Sequence, residues 1–247
     1  MRPRIVDLRV DEIEWMPLGP AGLYSRLLSR DLETGARTAL QRIVPEDGYT
    51  PPQKAHYHHT YEEIIGIAGC FSFDSRRWVK PGTYIFHPPR TVHGFASAVR
   101  SESLFLSRVG RDLDFNFVEN PEHDDLYVVE GPPPPRGPQA LEDFESRNAD
   151  ATGRLLGSGV MSRLLSIDPD SGEGSALVRL PAGWCSSEIM ADHDLELFVM
   201  EGAIRVDGSP EQAGLAYFSY PAGTTINRLA ADSETLVYVN FAGPVGL

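Results

Sequence analysis

Residues 22–42, GLYSRLLSRDLETGARTALQR, align without a gap on residues 159–179, GVMSRLLSIDPDSGEGSALVR, and 11 of the 21 positions are identical. The match resumes at an offset of 133 rather than 137, with EEIIGIAG (62–69) over LELFVMEG (195–202) and TYIFHPPRTVHG (83–94) over AYFSYPAGTTIN (216–227). SESLFLS (101–107) then echoes SETLVYV (233–239), one residue out of step. The chain is two copies of one unit. Only two copies at so long a period imply tandem domains rather than a stacked solenoid, and 247 residues give each copy enough chain for a core.

Between the copies runs EGPPPPRGPQALEDFESRNADATG (130–153). A proline run lacks backbone donors and has fixed φ, so it reads as an extended spacer, with a short helix expected over 140–147. The expected domains are therefore 1–131 and 151–247, with 132–150 as linker. Within each copy, short segments rich in Val, Ile, Leu, Phe and Tyr, such as TALQRIV, EEIIGIAG, TYIFH and SLFLSRV, alternate with Gly, Pro, Asp and Ser clusters. That pattern predicts an all-β sandwich or barrel in each copy.

The stretch HYHHTYEE (56–63) concentrates three histidines and two glutamates. Side chains on a strand alternate between its faces, so His56, His58 and Glu62 share one face, whereas His59 and Glu63 lie on the other. Imidazole nitrogens with one carboxylate oxygen suit a divalent transition metal. A further donor is available in His93, presented after the Pro88–Pro89 turn. His87, just before that turn, is a candidate for moving protons or touching substrate, and Glu62 is a candidate base as well as a ligand. In the second copy Leu195 stands for Glu62 and Ile226 for His93. Ile189 and Ala191 stand for His56 and His58, unless a four-residue deletion falls after that pair, in which case His193 takes the place of His56. Either way the second copy has lost a metal site, and its interior is expected to be refilled with hydrocarbon.

These spacings resemble the cupin family. His56, His58, Glu62 and Gly69 fit its first motif, and Gly82, Pro88 and His93 fit its second. Two positions depart from it: seven residues separate Gly48 from His56 where the family has five, and Arg90 replaces an inner glycine. The resemblance implies a bicupin, two tandem small β-barrels of jelly-roll type, with one divalent metal in the first held by His56, His58, Glu62 and His93. Iron is the first expectation for that metal, with manganese, nickel or zinc as alternatives. It also implies a dioxygenase acting on a small phenolic or enolisable molecule, in a homodimer. The other activities it allows are a zinc-holding sensor or binding module, or a non-redox isomerase or decarboxylase.

The net charge of −13 argues against nucleic acid and anionic membranes as partners. The first residues have no long apolar run of the kind a secretory signal needs. With only Cys70 and Cys185 available, no disulfide framework is expected. A cytoplasmic setting with both thiols packed is the expectation.

Overall fold

In the computed structural model, which describes residues 2–119, 121, 126–142, 156, 160–209 and 211–244, the residues shared by the two copies build one hairpin twice. Leu23–Arg30 pairs antiparallel with Arg37–Ile43, and Met161–Ile167 with Gly174–Leu180. In the first turn, Asp31 Oδ1 accepts the N–H groups of Glu33 (2.8 Å) and Thr34 (3.2 Å). In the second, Asp168 Oδ1 accepts those of Asp170 (2.8 Å) and Ser171 (3.2 Å). A carboxylate that satisfies two turn donors stabilises the turn over the open chain. Each hairpin has an irregularity at the same place, Leu27/Ser29 and Leu164/Ser166. The conserved pattern between the copies is thus largely turn and register chemistry.

Each copy extends that hairpin into the same antiparallel sheet. In the first, the order is Gln139–Leu141, Tyr84–His87, Glu62–Ser72, Ala98–Val109, Arg37–Ile43, Leu23–Arg30 and Met16–Pro17. In the second, it is Ile5–Arg9, Ala216–Tyr220, Leu195–Glu201, Thr235–Phe241, Gly174–Leu180 and Met161–Ile167. Apart from the single 3-10 turns Val10–Glu12 and Pro45–Asp47, the described residues contain no helix. The expected all-β fold is what the chain adopts, with one main antiparallel sheet built from each copy.

The chain divides into Glu14–Arg147 and a second unit of Met1–Ile13 with Asn148–Leu247. The first residues belong with the second copy because Ile5–Arg9 pairs with Ala216–Tyr220 and covers that open sheet edge. Gln139–Leu141, expected in the linker with Ala140 and Leu141 opening its short helix, instead forms the matching edge strand of the first copy. The rest of that expected helix, from residue 143, lies outside the described residues.

The two edge segments also bring equivalent arginines. Arg136 Nη2 donates to Glu63 Oε1 at 3.0 Å, and Arg108 Nη1 lies 3.4 Å from Oε2. Arg2 Nε lies 3.2 Å from Glu196 Oε1. Tyr84 and Tyr217 each donate a hydroxyl to the corresponding carboxylate at 2.6 Å. Glu63 and Glu196 are both buried, and a buried carboxylate is tolerated only when paired and hydrogen-bonded in this way.

Strand register settles the alignment of the copies around the candidate site. Glu62 lies opposite His87, as Leu195 lies opposite Tyr220. His56 bridges His93, as Ile189 pairs with Ile226. The deletion therefore falls before the histidine pair, and His193 does not replace His56; its ring lies against Gly243. Ala191, Leu195, Tyr220 and Ile226 belong to one buried cluster, with Ile189 packed on it. The second barrel has hydrocarbon where the first has imidazoles.

Candidate metal centre

The short strand His56–Tyr57 pairs with Asn116–Phe117, and two backbone hydrogen bonds of 2.9 Å join His56 to His93. The Pro88–Pro89 turn delivers His93. Within it Thr91 caps the Pro88 carbonyl through its hydroxyl (2.8 Å), and the Arg90 N–H donates to the His58 carbonyl (2.7 Å). Arg90, in the place of the motif glycine, has φ of 68°. The turn is thus retained in left-handed geometry, which disfavours a non-glycine residue by about 1 kcal/mol. Gly94 has φ of 78°, and a Cβ there would stand 2.5 Å from His56 Cε1. Glycine is needed at that position for both conformation and room.

The potential ligand atoms of His56, His58 and His93, all buried, lie within 4.8 Å of one another. All three rings are wired alike. Nδ1 of His56 donates to the Lys54 carbonyl (3.0 Å), Nδ1 of His93 to the Thr91 carbonyl (3.0 Å), and Nδ1 of His58 to the Asp114 carbonyl. A carbonyl only accepts, so Nδ1 carries the hydrogen in each ring and Nε2 keeps its lone pair. Burial, then the neighbouring His93, pushes the pKa of His56 down to about 4, and burial lowers that of His58. Near neutral pH both are uncharged and able to ligate.

Glu62 Oε2 lies 3.4 Å from His93 Nε2 and 3.7 Å from His87 Nδ1. Both Glu62 Oε2 and His87 Nδ1 are buried with no hydrogen-bond partner among the described residues. Burial alone would raise the Glu62 carboxyl; His87 and His93 beside it outweigh that and hold its pKa well below the usual range. Donor atoms about 2.1 Å from a common ion sit about 3.0 Å apart when adjacent and about 4.2 Å apart when opposite. The Glu62 separations fall between those values and exceed a good hydrogen bond. Tautomers, converging nitrogens and an orphaned carboxylate oxygen together fit a divalent metal.

Sequence parity sorted the neighbouring residues correctly in part. His59 is exposed, with Nδ1 2.5 Å from Asp114 Oδ2, and its backbone and side chain depress the Asp114 carboxyl. Glu63 is turned away from the histidines into the arginine cluster described above. Cys70 is half-buried, but Cys185, expected to be packed, is exposed, with Sγ 2.8 Å from Arg228 Nε. The segment Asp114–Phe117 was not foreseen. It supplies the carbonyl that orients His58 and places Phe115 edge-on to that ring, with centroids 5.0 Å apart. Phe115 and Phe117 are both exposed and stacked. The apolar–polar alternation of DFNF was the available signal. Phe73 stands on another side, 5.8 Å from His93.

No curated protein matches the chain in sequence. Among solved structures, a "putative dioxygenase" from Nostoc punctiforme is 17% identical, with a TM-score of 0.72 over 99% of this chain and 83% of that one. A salicylate 1,2-dioxygenase from Pseudaminobacter salicylatoxidans is 12% identical, with a TM-score of 0.61 over 85% of this chain and 72% of that one. The same enzyme described as adducts with gentisate gives 14% identity and a TM-score of 0.58, over 85% and 69%. At these identities the likeness is one of fold. Residues 5–110 match the family described as the ChrR Cupin-like domain, so the first copy contains a cupin-like domain, and the same sheet order is built a second time in the other copy.

Proposed function

We propose that this chain is a bicupin and a metal-dependent dioxygenase acting on a small phenolic or enolisable molecule. A single divalent ion, iron by preference, would be held in the first barrel by His56, His58, His93 and Glu62. The observation that carries this reading is the shared wiring of three buried imidazoles, each with Nδ1–H tied to a carbonyl, beside an unpartnered buried carboxylate oxygen. Support for the oxygenase chemistry comes from solved relatives of the same fold whose names carry it.

When bound, such an ion supplies Lewis acidity toward a substrate oxygen and redox access to dioxygen. The chain's own residues do the rest. The Lys54, Thr91 and Asp114 carbonyls fix ring tautomer and direction, which keeps the ligands preorganised. Glu62 contributes one negative charge in a buried setting, and we assign it a second role as the base that would take the hydroxyl proton of a phenol or enol. Phe115 and Phe117 offer exposed aromatic surface beside His56 and His58, suited to an aromatic substrate ring. Dioxygenation balances without a reductant: both oxygen atoms enter the product, and the substrate supplies the four electrons.

The test is anaerobic iron loading followed by oxygen uptake with a panel of phenols, hydroxybenzoates and diketones. Uptake of one dioxygen per substrate consumed supports the reading. Tightly held zinc with no uptake on any of them turns it toward a zinc-holding binding module or non-redox chemistry.

A further inference from the structure

His87 sits at the end of Tyr84–His87, directly across the ladder from Glu62. Residues opposite one another in an antiparallel pair project to the same face, so its ring enters the barrel with Glu62 and Ile85. It is 2% exposed, and its ring lies 4.5 Å from that of His93. A buried imidazole in such a place normally finds a hydrogen-bond partner. Here Nδ1 has none among the described residues. The three other histidines turn Nδ1 toward a backbone carbonyl, whereas His87 turns the same atom toward Glu62 and the cluster. Its 3.7 Å separation from Glu62 Oε2 is too long for a hydrogen bond. Glu62, His87 and His93 offer three ligand atoms within 4.8 Å of one another, a second triad that shares His93 with the first.

We infer that His87 is a fifth protein ligand, binding the metal through Nδ1 where the other histidines use Nε2. This rests on the metal-site reading above and adds a residue to it. The second copy supports the assignment by contrast: Tyr220 stands opposite Leu195 where His87 stands opposite Glu62, so the imidazole was exchanged along with the other donors.

The test is long-range proton–nitrogen NMR of the full chain, labelled at histidine nitrogen, with and without one equivalent of zinc, and with His87→Gln to assign its signals. The expected pattern is metal-shifted Nε2 with protonated Nδ1 for three rings, and the reverse for His87. His87→Gln should also weaken zinc binding at least tenfold in chelator competition, with an unchanged fold by circular dichroism. If three rings shift while His87 keeps a protonated, unshifted Nδ1, His87 is a partner of Glu62 and the inference fails, leaving the four-ligand site intact. If no histidine shifts with zinc, the metal site itself is wrong and the inference falls with it.

Discussion

His56 and His93 are joined backbone to backbone by two 2.9 Å hydrogen bonds, so two candidate ligands 37 positions apart in sequence are locked at one distance by the ladder itself. Ile189 and Ile226 stand in the same relation in the second copy. The fold therefore keeps this frame whether or not metal chemistry uses it. His93→Ala and Glu62→Ala should each lower metal content sharply while both barrels stay folded. His193→Ala should leave it unchanged. Elemental analysis of purified variants checks this, and equal loss in His193→Ala would contradict the mapping of the copies.

Gly94→Ala should weaken metal binding without removing any donor. A Cβ at this position would meet the His56 ring at 2.5 Å, on a backbone with φ of 78°. The ring must shift, and strain of about 1–2 kcal/mol is expected in the first barrel. Chelator competition and denaturant melts on the same variant measure the two effects.

Arg2→Met should destabilise the second barrel by about 3 kcal/mol, because it deprives buried Glu196 of a cation. Deleting residues 2–9 should do at least as much, since it also uncovers the edge strand Ala216–Tyr220. Hydrogen exchange should locate the loss in residues 160–244. Loss confined to residues 14–142 would contradict the pairing described here.

The metal-free protein should lose stability as pH falls from about 6.5 to about 4. Burial lowers His56 and His87 to about 4 in the folded chain, against about 6.5 when unfolded. In that window the unfolded state binds more protons, so the stability contributed by two neutral imidazoles is complete above the window and lost on descending through it. Denaturant melts at several pH values check this, and a stability that rises over the same range would contradict it.

Much of this was legible in the sequence because duplication and strand parity leave direct traces. The offset between copies, the inward face of His56, His58 and Glu62, and the hydrocarbon at Leu195 and Ile226 all follow from residue order. What was not legible depends on tertiary pairing. Nothing in RIVDLR says that it will close the edge of the distant copy, because an edge strand is chosen by whichever sheet lacks a neighbour. Nor could sequence give the Lys54, Thr91 and Asp114 carbonyls, since backbone groups have no residue signature. Arg90 was a departure from the motif, yet the surrounding hydrogen bonds hold it in the conformation that a glycine would adopt.

The most direct measurement is oxygen consumption by the iron-loaded protein beside its His93→Ala variant, with a panel of monophenols, hydroxybenzoates and diketones. The expected result is substrate-dependent uptake of one dioxygen per molecule consumed, absent from the variant. Firmly bound zinc, with no uptake on any substrate after iron exchange, would contradict an oxygenase.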